Sequence, residues 1–459
     1  MEGYLGIDVS KGYADFVLLN EKLTVLEPCF QLDDVESAHQ YLVAFIKNSL
    51  LKHKLNRINC GVESTGGYEN NWYGFLSSLS TESLRVTRLN PSVVKNASKA
   101  ELTGNTTDSI SARNIGVYLC RYHDRIDYRI ESAYYSSFRS LCNHIVLLQK
   151  QKTQLINEFR HLIYSGFPEL QRFCKSSIPD WVLELLKKYP SPAKLCKVKP
   201  TVISKIKGVT AVKAQQLIEN AKTTVCSRSG TCHEFLIQSM AEEIAGKEQR
   251  IKTLKKHLAN SCKGNEVELL KCIIGIADYS AATIMVEIED IKRFSSPQKL
   301  SSYFGLHPSL KESGDKKFVS RMSKQGRPAV RSILYMCANT AVIYDAHMKA
   351  IYARHRAKGK GHNQALGVIM HKLIRVIWGV LTTQTKYDKT IDEQNQKAKA
   401  DNKDYIKETG ISNKRRFQPF DPNAPVSKKA GQKRKVQLKS QVDEIEQVRD
   451  QKDVPDVNL

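Results

Sequence analysis

The sequence predicts an α/β domain, a long helical middle, a small and mainly helical third domain, and a basic tail. Three observations lead there. Short apolar stretches alternate with helical ones over the first 130 residues. Apolar residues then recur at three- and four-residue intervals in two long runs. Beyond about residue 386 the chain becomes polar and rich in lysine and arginine. A length of 459 residues suits two to four domains with a substantial core.

In the first domain (1–130), Tyr4 to Val9, Tyr13 to Leu19 and Thr24 to Gln31 read as strands joined by short turns. Residues 34–52 read as a helix with Leu42, Phe45, Ile46 and Leu50 on one face. Arg57 to Glu63 is a strand ending on a carboxylate, and Ser64-Thr65-Gly66-Gly67-Tyr68 turns the chain into a helix through Trp72 and Phe75. Leu84 to Leu89 is a further strand, closed by Asn90-Pro91, with helices near 91–101 and 106–122. Three strands followed by alternating helices and strands is the order of an RNase H-like fold.

That order puts three carboxylates within reach of one pocket. Asp8 lies on the first strand, which this fold places centrally, and burying its charge costs several kcal/mol unless it is paired. Glu63 sits at a strand's carboxyl end, where open α/β sheets gather ligands. Asp108 opens the last helix of the domain. Taken singly, Asp8 suits an edge or turn and Asp108 suits a helix start, where the dipole favours an acid. Taken together, the three suit one or two Mg²⁺ ions, hard cations that prefer oxygen donors and polarise a phosphodiester.

In the middle (131–265), Phe138, Leu141, Ile145, Leu148, Leu155, Phe159 and Leu162 form one heptad-like run, interrupted by Lys152. Ile237, Met240, Ile244, Ile251, Leu254 and Leu258 form another, interrupted by Lys247. Two long antiparallel coiled-coil helices are expected, with ordinary bundle helices as the alternative. Between them, Ile203 to Thr210 resembles a helix-hairpin-helix turn, whose amides can meet a phosphate.

The third domain (266–385) opens with a second such hairpin, Ile273 to Ala277, and contains Lys311-Glu312-Ser313-Gly314-Asp315 and Ser323-Lys324-Gln325-Gly326-Arg327. A helix is expected from Arg331, and a strongly apolar one over 364–381. Ser313 precedes a glycine in a cation-rich loop, where a lowered pKa and oxyanion support suit attack on phosphorus. Most Ser-Gly pairs are simply turns. The tail (386–459) reads as mostly disordered, with a short helix near 436–448. Its clusters Lys414-Arg415-Arg416, Lys428-Lys429 and Lys433-Arg434-Lys435 suit phosphates without sequence readout.

The net charge of +24 favours a polyanionic partner, nucleic acid above all. Lys11, Lys205, Lys207, Lys324, Arg327 and Arg331 are the candidate contacts. Eleven cysteines, an odd number without a CxxC pair, argue against a zinc site or disulfide framework and for a reducing cytoplasm. No signal segment and no apolar run of membrane-spanning length is read, so no membrane partner is expected.

Gly6-Ile7-Asp8-Val9-Ser10-Lys11, Glu63-Ser64-Thr65-Gly66-Gly67-Tyr68, Asn90 to Lys95 and Thr107 to Ala112 resemble the N-terminal motifs of the DEDD-type transposases related to the Piv site-specific invertase. This is the group of bridge-RNA-guided insertion-sequence recombinases. Residues 275–308, Glu312-Ser313-Gly314 and 323–335 resemble that family's C-terminal domain. The resemblance covers about residues 3–350. It implies a RuvC-like nuclease domain, a coiled-coil insertion and a small transposase domain. It implies Mg²⁺ held by Asp8, Glu63 and Asp108, and Ser313 as a nucleophile forming a phosphoserine link to DNA. It further implies a dimer or tetramer around a structured guide RNA, in a bacterial cytoplasm and at the nucleoid when bound to DNA.

One departure stands out. The family pattern has a second aspartate three residues after Asp108, where this chain has Ser111, a neutral and weaker metal ligand on the same helix face. Thr106 stands where the family has lysine. Two other functions therefore stay open: a metal-dependent nuclease that needs no serine, and an impaired nucleic-acid-binding relic.

Overall fold

The computed structural model describes residues 1–100, 107–175, 177–309 and 321–391, the backbone of 312, 313, 316 and 317, and scattered positions between 394 and 436. Two compact units divide it, Met1–Ala133 and Tyr134–Leu459.

The first unit contains β1 (Glu2–Ser10), β2 (Tyr13–Asn20), β3 (Val25–Asp33), α1 (Glu36–Lys52), β4 (Arg57–Glu63), α2 (Asn70–Ser78), β5 (Leu84–Leu89), α3 (Pro91–Ala100) and α4 (Asp108–Arg121). The strands form one sheet in the order β3-β2-β1-β4-β5. β1, β2 and β3 are antiparallel neighbours, and β1, β4 and β5 run parallel. β1 is therefore central, as the element order predicts.

Because strand side chains alternate between faces, each strand sorts its residues by parity. Leu5, Ile7 and Val9 of β1, Phe16 and Leu18 of β2 and Ile58, Cys60 and Val62 of β4 share one buried cluster with Leu42 and Ile46 of α1 and Trp72 and Leu76 of α2. Tyr4, Val17 and Leu19 join Ala112, Ile115, Val117 and Leu119 of α4 on the opposite face. Two glycines let α4 approach closely. A Cβ on Gly6 would lie 1.9 Å from the Ala112 carbonyl oxygen, and one on Gly61 would lie 2.7 Å from Leu119 Cδ1. Thr107 caps α4, its hydroxyl accepting from the Ile110 amide at 3.3 Å.

The second unit contains α5 (Ala133–Gly166), α6 (Asp180–Lys188), α7 (Pro192–Leu195), α8 (Pro200–Ile203), α9 (Ala211–Lys222), α10 (Thr231–Ser261), α11 (Asn265–Lys271), α12 (Asp278–Ile288), α13 (Pro297–Tyr303), α14 (Pro328–Tyr344), α15 (Ala346–Ala357) and α16 (His362–Thr383). Short strand pairs lie between α13 and α14. β6 (Pro308–Ser309) pairs with β9 (Arg321–Met322), and β7 (Glu312–Ser313) with β8 (Lys316–Lys317).

α5 and α10 are long helices lying antiparallel. Phe159 and Ile163 share a cluster with Ile237, Met240 and Ile244, while Ile145 and Leu148 share another with Ile251 and Leu258. The two lysines that interrupt the apolar runs fall where these clusters part. Lys152 pairs with Glu248 at 3.8 Å, and Lys247 donates to Gln151 Oε1 at 3.2 Å. Their charges are thus met across the helix pair.

Two expectations change. α14 starts at Pro328 rather than Arg331, because proline is favoured in a helix's first turn, where its missing N–H has no partner to lose. α16 is long and apolar enough to cross a membrane by length and composition, contrary to the reading that no such run exists. Leu366, Ile369, Leu373, Ile374 and Ile377 of that helix are buried in the core of this unit, which accounts for its apolar character. Most of the tail, including Lys414-Arg415-Arg416, Lys429, Lys433 and the helix expected beyond Val436, lies outside the described residues.

Candidate active site

Asp8, Glu63 and Asp108 lie at one end of the first unit's sheet, on the face covered by α4. Tyr4, Gly6 and Asp8 share that face by parity. Ile7 pairs with Val62 across the parallel strands, so Asp8 and Glu63 follow at neighbouring positions. Asp8 and Glu63 are half-buried, and Asp108 is exposed in the first turn of α4. The Asp8 carboxyl is pushed up to about 6, first by burial and then by the charges of Asp108 and Asp15. Glu63 is also raised, by burial and then by Asp8. Asp8 thus senses both of the other predicted acids.

Ser111 faces this site. One turn along α4 from Asp108, its hydroxyl is near enough to Asp8 to favour the charged carboxylate, against the larger effect of burial. This proximity depends on the close approach of α4 that Gly6 permits.

Two acids escaped the sequence reading. Asp15 on β2 is the register partner of Asp8 and is 7% exposed. Cys29 Sγ donates to its Oδ1 at 3.8 Å and Gln31 Nε2 to its Oδ2 at 3.4 Å. The signal was available: a turn at Lys11-Gly12 sets Asp8 opposite Asp15, and Gly12 takes the positive φ of 92° such a turn needs. Glu69 is 2% exposed and organises the turn after β4. It accepts from Ser64 Oγ at 3.0 Å, Thr65 N at 3.2 Å and Gly67 N at 2.7 Å, with Arg88 at 3.6 Å. Burial alone would raise its pKa, but its own amide, Gly67, Ser64 and Arg88 outweigh that and hold it low. Gly66 and Gly67, at φ 83° and 126°, give the backbone that folds these amides around it. The turn anchors the end of β4, and with it Glu63.

The donors are hard carboxylate oxygens whose mutual repulsion a divalent cation would relieve, so their chemistry fits such an ion. Among the described residues, no three His, Cys, Asp or Glu side chains close into a metal-holding group.

The other predicted residues are placed as follows. The backbone of Ser313 lies in β7, opposite Lys316, while its side chain, with residues 314 and 315, lies outside the described residues. Thr106 lies outside them too. Lys11 is exposed in the β1–β2 turn, and Lys205 and Lys207 are exposed on the first hairpin, where Gly208 has φ 95°. Lys324 is exposed. Arg327 pairs with the buried Glu287 at 3.3 Å, and Arg331 donates to the Phe304 carbonyl at 2.9 Å. Both arginines thus also serve the fold.

Comparison with known proteins bears on both units. Residues 5–168 match the DEDD-type IS110 family described as a transposase, and residues 267–353 match the transposase IS116/IS110/IS902 family. The chain is 24% identical over 250 residues to the insertion element IS110 uncharacterized 43.6 kDa protein of Streptomyces coelicolor, covering 52% of this chain and 62% of that one. It is 24% identical over 156 residues to the transposase for insertion sequence element IS1111A of Coxiella burnetii, covering 33% and 43%. It is 32% identical over 132 residues to the pilin gene-inverting protein of Moraxella bovis, covering 28% and 41%. The first of these matches thus spans less than two thirds of its relative's length. The DEDD match implies an RNase H-like fold for the first unit, in keeping with its strand order. The chain carries both transposase domains of the IS110/IS116 family, in sequence, and is a relative of insertion-sequence transposases and of pilin gene-inverting proteins.

Proposed function

We propose that this chain is the transposase of an IS110/IS116-type insertion sequence, a recombinase that cuts and rejoins DNA. The observation that carries the reading is that Asp8 and Glu63 follow a shared register on neighbouring parallel strands, under the helix that Asp108 opens, inside a DEDD transposase match. Four segments share the work: a RuvC-like domain (1–130), a coiled-coil insertion (131–265), a transposase domain (266–385) and a basic tail (386–459).

Asp8, Glu63 and Asp108 are the residues to hold Mg²⁺, with the Ser111 hydroxyl beside Asp8 as a neutral fourth donor. When bound, the ion supplies positive charge that polarises a phosphodiester. Asp15 and Glu69 hold the strand ends that present these acids. Ser313 is the nucleophile. Its Oγ forms a bond to phosphorus, the bond from that phosphorus to one neighbouring sugar oxygen breaks, and the released sugar hydroxyl takes up the serine proton. Attack by a sugar hydroxyl on the phosphoserine reverses the exchange and seals a new junction. Lys11, Lys205, Lys207, Lys324 and the tail hold backbone phosphates. A structured guide RNA, a homodimer or homotetramer, and a cytoplasmic site of action at the nucleoid complete the proposal.

Treatment of Ser313→Ala with substrate DNA, followed by denaturation, tests the serine role. The variant should bind DNA as the parent does and give no covalent protein–DNA adduct. An undiminished adduct excludes Ser313. Cleavage that survives without any adduct favours a hydrolytic nuclease.

A further inference from the structure

A cleft of about 510 Å³ opens within the second unit, bounded by α5, α10, α12 and α14. Its floor is apolar: Cys142, Val146, Ile333 and Met336 line it, and Met336 is 61% exposed. Two cations stand at its rim, Lys150 and Lys255. The Lys255 ammonium lies 4.7 Å from the centroid of the Tyr279 ring, which also lines the cleft. Among the described residues neither lysine has an acidic partner, whereas nearby Lys152 is paired with Glu248.

The cleft also receives the first turns of two helices, Tyr279 and Ser280 of α12 and Pro328 and Ala329 of α14. Neither helix has a side-chain cap. The first amides of a helix have no partner within it, and the dipole makes that end positive. Two lysines and two uncapped helix starts thus converge on a mostly apolar cleft that Gln149, Thr153, Thr283 and Ser332 also line, and the acid at the first position of α12, Asp278, is met by Lys271 at 2.8 Å.

An apolar floor with an aromatic wall suits a flat ring, and the cationic rim suits a phosphate. A nucleotide has both, and the volume falls within the usual range for small-ligand sites. We propose that the cleft takes one unstacked nucleotide of a nucleic-acid strand. The base would lie on the apolar floor beside Tyr279, and its phosphate would face Lys255 and the starts of α12 and α14. This inference rests on the reading of the chain as a nucleic-acid enzyme. It adds a strand-holding site distinct from the acids of the first unit.

Fluorescence anisotropy with labelled single-stranded DNA and RNA of one sequence tests it on the full chain. Ser332→Trp fills the cleft from an exposed position, and Thr253→Trp adds the same bulk on α10 outside it. Ser332→Trp should raise Kd about tenfold or more for at least one strand, as expected for losing a stacked base, and Thr253→Trp should not. Lys255→Ala should lower the slope of log affinity against log salt by about one. It keeps the test decisive should Ser332→Trp misfold. A loss confined to one arm names the strand as DNA or RNA. Unchanged Kd in both arms, or an unchanged salt slope for Lys255→Ala, overturns the proposal. Weaker binding that tracks a changed oligomeric state overturns it as well, and gives the cleft to a second copy. Failure of the parent chain to bind either strand strikes instead at the nucleic-acid reading.

Discussion

Substituting Gly6 with alanine should damage the acid site without touching an acid. The new methyl would lie 1.9 Å from the Ala112 carbonyl oxygen and 2.5 Å from the Gly116 amide nitrogen. Both are helix backbone, so no side chain can swing aside. Bringing the nearer contact to an ordinary 3.4 Å requires α4 to retreat by about 1.5 Å. Overpacking of this kind costs about 1–3 kcal/mol. For a unit of this size that corresponds to a melting temperature lower by roughly 5–10 °C. The same retreat draws Ser111 away from Asp8, since the two meet only through the approach of α4 to β1. Gly12→Ala is the control, because a Cβ there meets nothing within 4 Å, although its positive φ carries a modest strain. Thermal melts and Mg²⁺ titration of both variants give the comparison. If Gly6→Ala melts like the parent and responds to Mg²⁺ like the parent, the packing of α4 on β1 does not set the site.

Asp8 also sets a pH dependence. Its native pKa of about 6 lies above the 3.8 of the free side chain, so its contribution to stability is present below about pH 3.8 and is lost as pH rises through 6. Metal-free Asp8→Asn should therefore be more stable than the parent at pH 7, by about 1 kcal/mol after discounting a half-exposed group for solvent screening, and the gain should vanish near pH 4. A gain that is constant with pH contradicts this. Ser111→Asp replaces a neutral hydroxyl near Asp8 with a like charge, so without metal it should destabilise the unit by about 1–2 kcal/mol. Mg²⁺ should then raise its melting temperature more than the parent's, because charge count is one of the terms that set affinity at oxygen sites. Equal Mg²⁺ shifts would place Ser111 outside the metal site.

Much of the first unit was legible because strands write their faces in alternate residues. The parity that buries Leu5, Ile7 and Val9 on one side leaves Asp8 on the other, and the same rule aligns Glu63 on β4. Thr107 and Asp108 mark the start of α4 by capping and charge. Asp15 was missed because a strand aspartate reads as a solvent-facing residue until the register of its hairpin is fixed. Glu69 was missed because its burial arises from a turn in which two glycines fold amides around it, and hydropathy carries no trace of that. The apolar content of α16 was legible, but its meaning was not. Length and composition describe a core helix and a membrane span alike, and only packing against α14 and α13 tells which residues the helix buries. Ser313 was legible as a serine in a cation-rich loop, and the structure adds its backbone position opposite Lys316.

The proposed strand exchange needs both the carboxylate of Asp8 and the hydroxyl of Ser313. The direct test measures the covalent protein–DNA adduct formed by Asp8→Asn in the presence of Mg²⁺, with DNA binding measured in parallel. The account predicts that DNA binding persists while the adduct at Ser313 disappears. A full yield of adduct from Asp8→Asn would contradict it, because the serine would then be reacting without the acids.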